Sequence, residues 1–199
     1  MNSRVILTDC DGVLCNWGEG FDTFARSKGL SMSQGSEQHY SIALRYGITH
    51  QEAHKLVTEF NISSHIANLK PVADSQEYVA KLVEKGFTFI VVTALGDSPL
   101  SKLYRANNLE KLYGNVFSDL ICISMNTSKY DTLGLWAGSG YFWLEDHMRQ
   151  AEAGYEQGLK PILFSKPYNR HYSTDLFPMV SEVSPWKDLY QIIERQYNW

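Results

Sequence analysis

Five short runs in this sequence, residues 4–8, 87–92, 119–123, 141–144 and 161–164, are rich in β-branched or aromatic residues and mostly apolar on both faces. Strands of that kind must be covered on both sides, which a largely parallel sheet between two helix layers provides. Helix start signals stand between the runs. Asp74-Ser75-Gln76-Glu77 and Thr49-His50-Gln51-Glu52 read as capping boxes, with Gly86 stopping the helix that follows the first of them. Ser98-Pro99 and Ser184-Pro185 each offer an N-cap followed by proline at the first helical position. The expected fold is therefore α/β: a Rossmann-like, doubly wound α/β/α sandwich with a mostly parallel sheet.

One segment breaks the alternation. Residues 16–70 contain no convincing strand, only helical patterns near 18–27 and 49–60 with polar sequence between them. An all-helical excursion after the first strand is expected to lie over the carboxyl edge of the sheet, where open α/β sheets bind ligands. The expected division is a core of residues 1–15 and 71–199 with a helical cap, 16–70, inserted after the first strand.

The 199 residues suit one domain with a modest insertion, and the net charge of -4 argues against a surface that coats nucleic acid. Cys10, Cys15 and Cys122 show no CxxC spacing, so neither a disulfide framework nor a zinc knuckle is expected. The apolar run near the amino terminus is too short for a signal peptide, and no stretch is long and apolar enough to span a membrane. Expectation at this point is a cytoplasmic protein without membrane or nucleic-acid partners; a homodimer is left open.

The chemistry concentrates in Val5-Ile6-Leu7-Thr8-Asp9-Cys10-Asp11-Gly12-Val13-Leu14, an apolar strand that delivers two carboxylates into a glycine turn. Carboxylates that close cost energy unless a cation lies between them, so a divalent metal is implied. A bare Asp/Gly turn is the alternative for this stretch alone. An EF-hand loop is excluded, because Gly20 stands where the twelfth-position glutamate belongs. Thr93 alone reads equally as a strand former, Lys129 as a solvated lysine, and Glu145-Asp146 as a helix cap. His50 and His54 stand four apart but lack the glutamate of a zinc helix, since Gln51 follows His50.

Taken together, these positions resemble the haloacid dehalogenase (HAD) superfamily of phosphohydrolases. Asp9, Asp11, Gly12 and Val13 match the first motif and Thr93, ending Ile90-Val91-Val92-Thr93, the second. Lys129, in Asn126-Thr127-Ser128-Lys129, matches the third and the Glu145-Asp146 pair after Phe142-Trp143-Leu144 the fourth. A closer resemblance is to the 5'(3')-deoxyribonucleotidases, through Trp17 shortly after the first motif, Asn169-Arg170-His171 after Ile162-Leu163-Phe164, and Trp186-Lys187-Asp188-Leu189. Two positions depart from that group: Ala94 stands in place of a serine, and Glu145 in place of the first aspartate of the acidic pair.

The resemblance implies a Mg²⁺-dependent phosphatase. It assigns Asp9 as nucleophile, Asp11 as acid and base, and Thr93 and Lys129 as phosphoryl-binding groups. Asp9, Asp11, Asp146 and Glu145 form the candidate metal set. Trp17, Tyr46, Thr93, Ala94 and Lys129 form the candidate substrate set, with Trp17 stacking on the base of a nucleoside monophosphate. Other small phosphate monoesters, a polynucleotide 3' end, and an inactive binding protein on the same scaffold are the alternatives.

Overall fold

The computed structural model describes residues 4–125, 127–172 and 175–199; Asn126, quoted beside Lys129 in the third motif, lies outside them. Six parallel strands form one sheet in the order β3-β2-β1-β4-β5-β6. These are β1 (Val5–Thr8), β2 (Thr88–Thr93), β3 (Phe117–Cys122), β4 (Phe142–Glu145), β5 (Lys160–Phe164) and β6 (Met179–Val180). The order reverses at β1, whose neighbours are β2 on one side and β4 on the other. A crevice opens beyond the strand ends at such a reversal.

Both faces of the sheet are buried, as the runs without alternation require. Ile6, Phe89, Val91, Leu144 and Ile162 point into one core, while Leu7, Val92 and Trp143 point into a second on the opposite face. The larger core is closed by α4 (Ser75–Glu84), α5 (Pro99–Tyr113) and α8 (Pro185–Tyr197) through residues such as Leu82, Leu109 and Trp186. On the other face lie α6 (Tyr130–Leu133) and α7 (Met148–Glu156).

Between β1 and β2 come α1 (Trp17–Ser27), α2 (Ile42–Tyr46) and α3 (His50–Asn61), with no strand among them. Phe21, Phe24, Tyr46 and Phe60 pack together, and their cluster is continuous with the core of the sheet. The chain leaves and rejoins the body through two stretches that pair with each other. Asn16 N–H donates to Lys70 O and Val72 N–H to Leu14 O, both at 2.8 Å. No helix of the described residues is long and apolar enough to cross a membrane.

Local signals held at some ends and failed at others. Thr49 and Glu52 form the reciprocal capping box, and Ser98 accepts from Ser101 N–H. Asp74 does not cap its own helix: it adopts φ 56° and makes no cap bond there. Its carboxylate instead accepts from Trp186 N–H and Lys187 N–H, the free amides of α8, displacing the expected Ser184, which makes no side-chain cap bond. The sixth strand carried no periodic signal, since two residues are too few to show one. The third begins at Phe117 rather than 119, with a bulge against β2 between Phe89 and Ile90 absorbing the offset.

Asp74→Ala is expected to lower unfolding free energy by about 1–3 kcal/mol, through the lost cap and alanine's poor fit to a left-handed conformation. Ser184→Ala should stay within about 0.5 kcal/mol of the parent. Urea denaturation of the two variants checks this, and equal effects would refute the reassigned cap.

Candidate active site

Three strand ends and the start of α6 (Tyr130–Leu133) converge on the crevice. Asp9 follows β1, and its N–H continues the ladder to Leu144 O at 2.8 Å. The chain then turns tightly around Cys10 O, which accepts from Leu14 N–H at 2.9 Å and Cys15 N–H at 2.8 Å. Gly12 closes the turn at φ +83°, where an added Cβ would lie 1.8 Å from Asp146 Oδ2. Glycine is needed there for conformation and for space. Thr93 ends β2, and Glu145 ends β4 with Asp146 next. Lys129 immediately precedes α6.

Lys129 is the electrostatic centre. Its Nζ lies 2.8 Å from Asp9 Oδ1 and 2.8 Å from Glu145 Oε2, with the side chain buried. Burial disfavours its charge, but Asp9 and Glu145 outweigh that and hold its pKa above the usual lysine range. Glu145 Oε1 accepts from Asp146 N–H and His147 N–H, so both of its oxygens already have protein donors. Asp146 is oriented twice over. Tyr168 O–H donates to its Oδ2, and the buried Asn169 bridges Asp146 O at 2.7 Å and Phe164 O at 2.8 Å.

One cation does not neutralise this floor. Asp9 is pushed up to about 8, by burial first and then by Glu145, against the opposing pull of Lys129. Asp146 is raised to about 6 by burial and by Asp9. Carboxylate oxygens of Asp9, Glu145 and Asp146 lie within 4.8 Å of one another. An all-oxygen donor set with surplus negative charge fits a hard divalent cation such as Mg²⁺. With Glu145 occupied by Lys129 and two amides, Asp9 and Asp146 are the two of these three that retain an oxygen without a protein donor among the described residues.

A cavity of about 770 Å³ opens above this floor. Asp9, Asp11, Thr93, Ala94, Lys129, Glu145, Asp146 and Trp17 all line it. Tyr46 does not: it is buried among the phenylalanines, with its hydroxyl donating to Asp22. Trp17 has one face stacked on Phe21, at 4.6 Å and 10°, and its indole N–H donates to Asn61. His50 and His54 are exposed on α3 and lie at this cavity, as does His147.

Three residues that sequence reasoning missed organise the floor: Arg105, whose guanidinium pairs with Asp11, and Tyr168 and Asn169, which hold Asp146. An arginine within an ordinary helix carries no sequence signal for such a role. Asn169 was visible only as part of Asn169-Arg170-His171; in that segment Arg170 pairs with Glu182 and His171 packs on Tyr172.

No family model matches the sequence. Solved structures match it over nearly its whole length. A predicted phosphatase from Clostridium acetobutylicum aligns with TM-score 0.70 at 14% identity, over 98% of this chain and 100% of that one. A haloacid dehalogenase-like family hydrolase from Streptococcus pneumoniae aligns with TM-score 0.67 at 12% identity, over 96% and 99%. The fold is haloacid dehalogenase-like. CbbY from Rhodobacter sphaeroides, in complex with xylulose-(1,5)bisphosphate, shares this fold with TM-score 0.59 at 15% identity, over 91% and 95%. In sequence, an uncharacterized 32.4 kDa protein of Enterobacteria phage T4 is 33% identical over 129 residues, 62% of this chain. The chain spans 46% of the length of that relative.

Asp9 couples the site to stability. Its folded pKa lies above its unfolded value, so its contribution is complete below about pH 4 and is lost as pH rises through about 8. A divalent cation bound there offsets that loss. Mg²⁺ is therefore expected to raise Tm more at pH 8 than at pH 5 in calorimetry, and an equal or absent shift at both would exclude the metal site.

Proposed function

We propose that this protein is a Mg²⁺-dependent phosphohydrolase that works through an aspartyl-phosphate on Asp9. The observation that carries the reading is the placement of Asp9 at the reversal point of the sheet, 2.8 Å from a buried lysine and beside Asp146. The Asp9 and Asp146 carboxylates with the Asp11 carbonyl would hold Mg²⁺, which would supply positive charge between the attacking and attacked anions. Lys129 adds fixed charge toward the phosphoryl oxygens while keeping Asp9 oriented, and Thr93 offers a hydroxyl to the same group. Asp9 attacks phosphorus, and Asp11 protonates the leaving oxygen and later deprotonates water. Burial holds Asp11 above the ordinary carboxylate range although Arg105 opposes it, which suits an acid working near neutral pH.

The substrate in this reading is a nucleoside 5'-monophosphate, with the cavity face of Trp17 as the base platform; the ring's other side is already stacked on Phe21. Phosphate release from a panel of nucleotides and sugar phosphates, with and without Mg²⁺, tests the proposal. Asp9→Asn is expected to abolish turnover while leaving the protein folded, and retained activity would refute the nucleophile. Trp17→Ala should raise KM for nucleotides by roughly 10-fold, matching about 1–3 kcal/mol of stacking, and far less for p-nitrophenyl phosphate.

A specific observation favours a second reading, a substrate with two anionic groups. Arg45 and Arg149 line the same cavity, and neither has a carboxylate partner among the described residues. Among the described residues Arg45 Nη2 meets only Met32 Sδ, and its Nε is buried without a partner. The CbbY structure holds a sugar bisphosphate on this fold. Arg45→Gln should then cut kcat/KM for a bisphosphate by roughly 10–100-fold, the worth of a charge-assisted bond, and by much less for the matching monophosphate. Equal losses would favour the nucleotide reading.

A further inference from the structure

Helix α5 carries Arg105 beside the turn that follows β1, and the side chain is completely buried. Its Nη2 pairs with Asp11 Oδ1, the one ion pair it makes among the described residues. Nε and Nη1 are buried with no hydrogen-bond partner among the described residues. Its other polar neighbours are the thiols of Cys10 and Cys15, and Cys15 Sγ is itself engaged by Asn108 Oδ1 at 3.2 Å, one turn along α5. As a stabilising device this is a poor arrangement. A buried guanidinium is costly, two of its donors go unused, and an apolar side chain would pack there more cheaply.

What the contact does achieve is geometric. An aspartate carboxylate has two equivalent oxygens and a soft terminal torsion, so left alone it presents either oxygen in many orientations. The guanidinium occupies Oδ1. Asp11 still reaches the cavity, with about a quarter of its side chain exposed, and Oδ2 is the oxygen left for a substrate.

We propose that Arg105 is a positioning residue for Asp11: it holds Oδ1 so that Oδ2 alone is aimed at the leaving-group oxygen. The proposal rests on Asp11 being the acid of the first step. In that step an Asp9 oxygen bonds to phosphorus, and the ester P–O bond breaks with its electron pair on the leaving oxygen. The proton on Asp11 Oδ2 passes to that oxygen, releasing a neutral alcohol. In this first step, misaiming Oδ2 therefore matters only when the leaving group needs a proton.

The test is the leaving-group dependence of kcat/KM, which reports transfer to Asp9, for an alkyl phosphate and for 2,4-dinitrophenyl phosphate, whose phenolate departs unprotonated. Arg105→Met is expected to lose about 100-fold on the alkyl ester, the scale of positioned acid catalysis, and less than about 3-fold on the dinitrophenyl ester. Asp11→Asn should show the same split, and the double variant should be no worse than Asp11→Asn. Arg105→Lys keeps the charge and loses the planar fork, so it should show a smaller split in the same direction; it also serves if the methionine variant does not fold. Equal losses on both esters in a folded Arg105 variant would overturn the positioning role. No split in Asp11→Asn would overturn the acid assignment and this inference with it, while Asp9→Asn activity reports separately on the nucleophile.

Discussion

The structure depends on one electrostatic problem: Asp9, Glu145 and Asp146 are buried together where β1 and β4 end side by side. Buried carboxylates repel and lose hydration, so each must find a donor or a cation, or take up a proton. Glu145 is satisfied by Lys129 and two backbone amides, and Asp146 is braced by Tyr168 and Asn169. Asp9 is left sharing Lys129, and burial drives its pKa higher than its neighbours' charges alone would do. The unpaired remainder of negative charge at the floor is of the kind that fits a hard divalent cation.

The sheet order explains why these groups meet at all. Because β1 lies between β2 and β4, the segments that follow these three strands reach one crevice although they are far apart in sequence. Gly12 then allows the first turn to pass against the Asp146 side chain, an approach that any β-carbon would block. Helix α5 completes the arrangement from below through Arg105 and Asn108.

Much of this was legible in the sequence because it depends on pattern at short range. Runs without alternation announced a doubly covered sheet, and Asp9, Thr93, Lys129 and Asp146 were singled out by their resemblance to the haloacid dehalogenase motifs; each stands at or just beyond an element end. What was not legible depends on contacts across the fold. Asp74 has the sequence context of a cap for its own helix, yet it serves α8, more than a hundred residues away. Arg105 reads as one more helical arginine until α5 is laid beneath Asp11. Tyr46 is a ring in a segment rich in rings, and no local pattern separates one that packs on Phe21 from one that faces the cavity.

The paired crossings beside Cys15 and Pro71 have a consequence for how such a fold can diversify. The backbone bonds Asn16 to Lys70 and Val72 to Leu14 close the ends of the intervening segment on each other. A loop closed at its base can grow or shrink at a modest entropic cost, because added length changes closure only logarithmically. Asp9 and Asp11 are held by the sheet and by α5 on the near side of that closure. The constraint on residues 16–70 is then their packing more than their length, because Phe21, Phe24 and Phe60 are continuous with the core of the sheet and Leu69 O accepts from Asn108 on α5.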